Sequence, residues 1–425
     1  MARSRTPGPD PVESAITEFF ADHSGIRSLR VAFSGGRDST VLLHALAQRL
    51  PEHELDVVHV HHGLHRDADA QSRHCREFAE HLGLRCEERR IDVPSARPEG
   101  LEATARHLRY EALMRGLPRD GCVLTAHHAL DQAETFLLAA LKGSGPAGLS
   151  GMPRLRPLGA GWLGRPLLTC SDAQVAAYAG RHGLRWLEDP TNRDIRFDRN
   201  FLRREILPVL STRFPAERRF SAAASVQREA VRALDLLLDR QLQDLGGMDP
   251  DSRALDVAAL LEQPPELRTW LLRRFVQRAG FPAPRRGPLL EFLRQLRHGG
   301  DAAQPELHWA DVSLRCYRRM LHLVESEATR ADADRPSAID WPATAPAIDL
   351  PDGRRLTRDE LESAGVDPGQ PVQIRFRAGG ERVNTPSGRR SLKKMMQERG
   401  VPRWRRARLP LVQVGEELVA VLWDR

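Results

Sequence analysis

Ser34-Gly35-Gly36-Arg37-Asp38-Ser39 follows the apolar run at 29–33 and opens directly into Thr40-Val41-Leu42-Leu43-His44-Ala45-Leu46. A glycine turn between a buried strand and a helix aims free backbone N–H groups, and the positive end of the helix dipole, at one point. Gly35 and Gly36 let the backbone approach an anion without a Cβ in the way. Ser34 and Ser39 offer hydroxyl donors, and Asp38 could hold a magnesium ion. No lysine follows the last glycine, so the stretch is not a Walker A loop. The same residue types can cap a helix without any ligand, but strand before and helix after is the context that phosphate binding requires.

Outward from that turn, residues 29–33, 55–60, 84–93 and 122–126 read as strands. Helical stretches near 40–50, 70–82, 100–116 and 130–141 separate them. Such alternation predicts an α/β domain with a doubly wound, mostly parallel, Rossmann-like sheet and ligands at the carboxyl ends of its strands. Ser171-Asp172 caps a further helix, and an Asp-Pro-Thr-Asn turn at 189–192 leads into Arg199-Asn200-Phe201-Leu202-Arg203-Arg204-Glu205-Ile206-Leu207-Pro208. From about 214 to 297 leucine and alanine recur at helical spacing. Residues 328–350 are rich in Ala, Asp and Pro and read as a linker. Short strand-like pieces around a helix near 390–399 then suggest a small α+β domain. The expected organisation is a nucleotide domain at 1–213, a helical middle domain at 214–327, a linker at 328–350 and a basic α+β domain at 351–425.

The 425 residues, with a formal charge of +7, contain no run of about twenty apolar residues and no signal-like N-terminal segment, so a soluble cytoplasmic protein without a membrane partner is expected. Five cysteines lie far apart, with no CxxC pair to suggest zinc or a cluster. Between Arg389 and Arg408 nine Lys/Arg residues face the single acid Glu398, interleaved with Met395, Met396 and Trp404. The chain has three lysines, and two of them, Lys393 and Lys394, are adjacent there. Such a segment can neutralise phosphates and offer an aromatic face to a base.

Three further stretches carry chemistry. In Val58-His59-Val60-His61-His62-Gly63-Leu64 the first two histidines share one strand face and His62 points to the other, which disfavours a shared metal ion and suits contacts to adenine or ribose. Ala126-His127-His128-Ala129-Leu130-Asp131-Gln132-Ala133-Glu134 puts two imidazoles at a strand end. Its Asp131 and Glu134, three apart on a helix, could hold magnesium or an ammonium group, or simply complement the dipole. Arg106 could pair with Glu102 one turn earlier or clamp a phosphate, and Arg199, Arg203 and Arg204 carry the same ambiguity. Gly143-Ser144-Gly145-Pro146-Ala147-Gly148 matches GxGxxG but follows a helical pattern, which argues against a dinucleotide site.

SGGRDS at 34–39 resembles the signature of the PP-loop pyrophosphatases, which split ATP between its α- and β-phosphates. Taken together with HVHHGL at 59–64, GLEATARHLRY at 100–110, AHHALDQAET at 126–135, LKGSGPAGLSGM at 141–152, RPLL at 165–168, EDPTN at 188–192, RNFLRREILP at 199–208, IRFRAGGE at 374–381 and SLKKMMQERGVPRWRRARLPL at 391–411, it resembles the tRNA(Ile)-lysidine synthase branch of that superfamily. The resemblance implies that ATP activates carbon 2 of the wobble cytidine in an isoleucine tRNA with a CAU anticodon, and that free L-lysine then displaces AMP. It implies Ser34, Gly35, Gly36, Arg37, Asp38, Ser39, His61, His62 and Gly63 around ATP, and Mg²⁺ on Asp38. Asp38, Asp131, Arg106 and His128 would serve the chemistry. Asp131, Glu134, Arg199, Arg204, Lys393, Lys394, Arg403, Trp404 and Arg405 would contact lysine or tRNA, and a homodimer would be in keeping with the family. Two residues depart from the family pattern: Leu130 stands where an aspartate is usual, and Arg37 where a small or apolar residue is. A tRNA thiolase of the same superfamily, and a silent tRNA binder that kept the fold, are the rival readings.

Overall fold

The computed structural model describes residues 9–50, 55–61, 63, 68–93, 101–188, 193–246, 254–299, 304–325, 338–350, 354–385 and 388–423. They divide into two compact units, 1–234 and 235–425.

The first unit runs α1 (Pro11–Asp22), β1 (Ser28–Ala32), α2 (Arg37–Arg49), β2 (Leu55–His61), α3 (Ala68–His81), β3 (Cys86–Arg90), α4 (Leu101–Met114), β4 (Gly121–Leu124), α5 (Ala129–Leu141), α6 (Pro146–Leu149), β5 (Leu155–Leu158), β6 (Gly161–Gly164) and α7 (Asp172–Arg181). Short helices α8 (Asp198–Phe201) and α9 (Leu207–Ser211) follow, and α10 (Ala216–Asp244) leads out of the unit. β1 to β4 appear close to the ranges read from the sequence, and the GxGxxG match forms a turn and the short α6. The strands form one sheet in the order β3-β2-β1-β4-β6-β5, parallel except for the pairing of β5 with β6. All four residues of β4 are buried, as expected of a parallel strand covered on both faces. Phe19, Leu29, Val31, Leu42, Leu46, Val175 and Tyr178 form the core on one side, and Val58, Val123, Leu113 and Leu163 on the other.

This order decides where a ligand can sit. Chain direction across the sheet reverses between β1 and β4, and the loops leaving those two strands diverge to open a crevice at their carboxyl ends. The glycine turn leaves β1 and the His127-His128 segment leaves β4, so both flank the crevice.

In the second unit β7 (Ala254–Asp256) precedes helices α11 (Val257–Glu262), α12 (Pro265–Arg278) and α13 (Arg286–His298). The helical middle read from the sequence is therefore present. It also carries a meander that helical periodicity did not reveal: β8 (Glu306–Trp309), β9 (Val312–Tyr317) and β10 (Met320–Glu325) join β7 in the antiparallel order β7-β10-β9-β8. Strands of three to six residues are too short to show a clear period. The remainder comprises β11 (Ala338–Trp341), β12 (Ala347–Asp349), β13 (Arg355–Thr357), α14 (Arg358–Ser363), β14 (Val372–Arg375), β15 (Arg382–Thr385), β16 (Gly388–Ser391), α15 (Leu392–Glu398), α16 (Arg403–Arg406), β17 (Leu411–Val414) and β18 (Glu417–Val421). The segment at 338–350, expected as part of a linker, instead supplies β11, which pairs with β14 at the edge of the sheet β11-β14-β17-β18, and β12. Trp341 anchors it, almost fully buried in that sheet's core. No described helix is long and apolar enough to cross a membrane.

Trp404 of α16 packs edge-on against Tyr317 and His322, with ring centroids 6.1 and 5.5 Å away, and the Arg315 guanidinium lies 5.5 Å above its ring. Burial, reinforced by the positive charge of Arg405, pushes the His322 imidazole down to about 4. An unfolded histidine titrates near 6.5, so the native state favours the neutral ring. The stability this contributes is present above pH 6.5 and is lost as pH falls toward 4. Urea unfolding of wild type and His322→Phe at pH 7.5 and 5 should show a smaller pH-dependent loss in the variant; equal losses would disprove the linkage.

Candidate active site

Gly35 adopts the left-handed φ of 77°, and a Cβ there would come within 3.0 Å of Cys75 Sγ, so the position requires glycine. Gly36 caps α2 without any side-chain hydrogen bond. The hydroxyl of Ser39 donates to the Gly36 carbonyl at 2.9 Å and lies 3.0 Å from that of Ser34. Gln71 of α3 donates to the Ser34 carbonyl at 2.7 Å, and the Leu187 N–H donates to the Gly35 carbonyl at 3.0 Å. The loop's carbonyls are thus engaged by the protein. The first-turn N–H groups of α2 face the ligand side, the arrangement that binds phosphate.

Opposite stands the N-terminus of α5. His128 is its N-cap: its Nδ1 accepts from the Leu130 N–H, while Asp131 Oδ2 accepts from the His128 N–H at 2.9 Å. This capping box pins the ring, which is fully buried, with Nε2 3.4 Å from Asp38 Oδ2, 3.7 Å from Asp131 Oδ2 and 3.8 Å from Asp172 Oδ1. Burial opposes its charge, but the three carboxylates outweigh burial and raise its pKa. Burial would likewise raise Asp38; His128, then Arg37, overcome it and bring that carboxyl to about 2. Asp131 also lies below the usual carboxylate range, since His128 and Arg203 outweigh its burial.

Arg203 sits on a single π-helical turn, 202–206, just before Pro208. Pro208 has no N–H for the Arg204 carbonyl four residues back, and the helix widens where that bond is lost. From there the Arg203 guanidinium reaches Asp131 Oδ1 at 2.7 Å and also binds Glu134 Oε1. Glu134 is only 2% exposed, and burial raises its pKa against the pull of Arg203. Arg37, the first residue of α2, donates its Nε to Asp38 Oδ1 at 2.8 Å and a terminal nitrogen to Asp172 Oδ1.

These groups surround a cavity of about 800 Å³. Its apolar end is formed by Ala32, Val58, Val60 and Leu113, and its polar wall by Ser34, Gly36, Arg37, Asp38, Ser39, His127, Asp131, Asp172, Arg203 and Arg204, with Arg109, Trp186, Glu188 and Arg193 also reaching it. Asp38 and Asp131 are ionised oxygen donors of the kind Mg²⁺ accepts. Among the described residues no group of three or more His, Cys, Asp or Glu is arranged to hold a metal ion by itself, so an ion would draw its other ligands from phosphate and water.

The structure brings together Ser34, Gly35, Gly36, Arg37, Asp38, Ser39, Asp131 and Arg204 as the sequence suggested, and corrects several other assignments. His61 faces α3, 3.3 Å from Asp69, while Val58 and Val60 of the same strand face the cavity. Strand alternation therefore turns His61 away from the cavity. Gly63 forms a left-handed turn beyond β2, with φ 66°; His62 and the 189–192 turn lie outside the described residues. Arg106 donates to the Tyr110 hydroxyl at 3.2 Å and lies over its ring, and the next turn of α4 carries Arg109 to the cavity in its place. Arg199 reaches Thr135 instead of the cavity wall. His128 is sealed behind its carboxylates, whereas His127 lines the cavity, its Nδ1 2.9 Å from Thr125 Oγ1. Burial and the guanidiniums of Arg165, Arg106 and Arg109 hold His127 well below its usual range, so it is neutral. Asp172, expected only at a helix cap, lines the cavity and pairs with Arg37, and Arg203, expected to form an ion pair or clamp a phosphate, pairs with Asp131 and Glu134. In the second unit Lys393, Lys394, Arg403 and Arg405 are exposed, whereas Trp404 spends its ring on the packing described above.

Residues 9–210 match the PP-loop domain family, 255–322 the TilS substrate binding domain and 372–422 the TilS substrate C-terminal domain. Among curated proteins, the tRNA(Ile)-lysidine synthase of Alkalilimnicola ehrlichii is 40% identical over 92% of this chain and 88% of its own length. Those of Xylella fastidiosa and Serratia proteamaculans are each 41% identical, over 92% and 93% of this chain and 89% and 91% of theirs. Similarity at this level over nearly the whole length, through all three domain families in order, shows that the chain belongs to the tRNA(Ile)-lysidine synthase family.

Proposed function

We propose that the chain uses ATP and L-lysine to convert the wobble cytidine of an isoleucine tRNA with a CAU anticodon into lysidine. What supports this reading is that a single cavity carries both an anion-binding loop and, a few ångströms away, ionised carboxylates beside a neutral imidazole. In the first step the O2 atom of the cytidine attacks the α-phosphate and pyrophosphate leaves. The N–H groups of the glycine turn and the Arg37 guanidinium meet the charge that develops there. Mg²⁺, held by Asp38 and phosphate oxygens, would neutralise the departing pyrophosphate.

In the second step the lysine amine attacks carbon 2 and AMP departs with the former O2. The amine must first lose its proton. His127 lines the cavity but is left a weak base by burial and the nearby guanidiniums, and His128 is buried behind its carboxylates, so the proton would leave to solvent while Asp131 orients the amine. Asp131 would attract the incoming ammonium, with Arg203 holding Asp131 and Glu134 in register. The exposed Lys393, Lys394, Arg403 and Arg405 would grip the tRNA backbone away from the chemistry.

The five cysteines favour this reading over a thiolase. All are buried and unpaired, and burial pushes the Cys86, Cys122 and Cys170 thiols up to about 11, 12 and 11, so they are poor sulfur carriers at neutral pH.

Labelled L-lysine should enter an unmodified CAU-anticodon isoleucine tRNA transcript with ATP and Mg²⁺, and should not enter the methionine tRNA with the same anticodon. AMP release with sulfur incorporation instead would identify a thiolase. Arg203→Ala leaves Glu134 buried without its partner and should lower unfolding free energy by about 3 kcal/mol, with Arg203→Ala/Glu134→Gln recovering much of that loss in a denaturant titration. Filter binding of the tRNA should weaken steeply with salt. Lys393→Ala/Lys394→Ala should flatten the log–log slope by about 1.5, at roughly 0.7 to 0.9 per phosphate contact; an unchanged slope would place the tRNA elsewhere.

A further inference from the structure

Arg37 is the one cation on the glycine turn itself, at the first position of α2, and its side chain is 26% exposed on the cavity wall. Its two partners lie on different elements: Asp38 beside it, and Asp172 at the first position of α7. Asp172 is fixed from behind. Ser171 and Gln174 form the capping box that starts α7, and the Asp172 N–H donates to Glu217 Oε1 at 2.9 Å, in the first turn of α10. A long side chain is thus held by a carboxylate whose backbone is anchored at a helix start.

Asp38 and Asp172 keep a second polar neighbour when Arg37 leaves, because His128 Nε2 lies 3.4 Å from Asp38 and 3.8 Å from Asp172. The imidazole is buried and pinned as a helix cap, whereas the guanidinium ends a long side chain on the cavity wall. A pyrophosphate group seated at the N-terminus of α2 carries several negative charges against the single charge of Asp172, and it offers the bidentate geometry that arginine prefers.

We propose that Asp172 is a positioning residue that parks Arg37 at the cavity wall in the nucleotide-free protein, and that the guanidinium transfers from Asp172 to the pyrophosphate group of the bound nucleotide. The proposal rests on the ATP-using reading above. It gives Arg37 and Asp172 opposite effects on anion affinity: Arg37 adds to it, and Asp172 competes with it.

The test is calorimetric titration of the full-length protein with inorganic pyrophosphate, and separately with ATP, at fixed ionic strength and pH 7.5. Arg37→Met should weaken pyrophosphate binding about tenfold or more, and Arg37→Lys should recover part of the loss. Asp172→Asn should tighten binding severalfold, and Arg37→Met/Asp172→Asn should bind like Arg37→Met alone, since the competitor has nothing left to hold. Thermal unfolding of each variant identifies a misfolded protein. Should Asp172→Asn fail to fold, Asp172→Ser, which keeps a side chain able to accept a hydrogen bond, carries the same expectation. Equal weakening by Arg37→Met and Asp172→Asn would make the pair a structural cross-link and overturn the exchange, as would tightening by Asp172→Asn that persists without Arg37. Wild-type protein that binds neither ATP nor pyrophosphate would instead refute the nucleotide reading on which the exchange rests.

Discussion

The buried imidazole of His128 is the contact on which the site depends. Asp38 comes from the start of α2 after β1, Asp131 from the helix after β4 and Asp172 from the start of α7, and all three carboxylates lie within 3.8 Å of that ring. Three carboxylates so close together repel one another. The imidazole at their centre offsets that repulsion, and their charges in turn raise its pKa against the cost of burial. The sheet order brings the segments close, and the imidazole keeps their charges from driving them apart.

Around that centre two arginines each bridge a pair of carboxylates. Arg203 comes from a π turn and is clamped between Asp131 and Glu134, the latter with its carboxylate almost wholly out of water. Arg37 stands at the other edge, partly exposed and within reach of whatever enters the cavity. Leu130, the neighbour of Asp131, faces the same cavity and also packs near Leu207 and Ala216. It adds an apolar contact and no ligand, leaving Asp131 as the ionised carboxylate of that helix on the cavity wall.

The second unit shows how an aromatic residue in a basic segment can mislead. Trp404 looks like a stacking platform among arginines, but its ring is committed to Tyr317, His322 and Arg315 of the neighbouring meander. What is left outward is charge: Lys393, Lys394, Arg403 and Arg405 are exposed. A surface of that kind recognises a phosphate backbone by its density and shape, and base identity has to be read elsewhere.

Much of the architecture was legible in the sequence because it is written locally. The glycine turn needs its two glycines, a strand before it and a helix after it, and all of these lie within twenty residues. The alternation of apolar strands with amphipathic helices likewise needs no distant partner, so the parallel sheet and the position of the crevice could be read from the chain itself. Which side chains face the crevice was decided in three dimensions. One residue separates His127 on the wall from His128 behind it, three separate Arg106 from Arg109, and strand parity turns His61 outward while Val60 faces in. Arg203 and Asp172 acquire roles only because charged groups 72 and 135 residues away, Asp131 and Arg37, come to lie beside them. Local periodicity specifies the elements. The cost of burying an unpaired charge selects which side chains complete the site, and that cost exists only once the fold has excluded water.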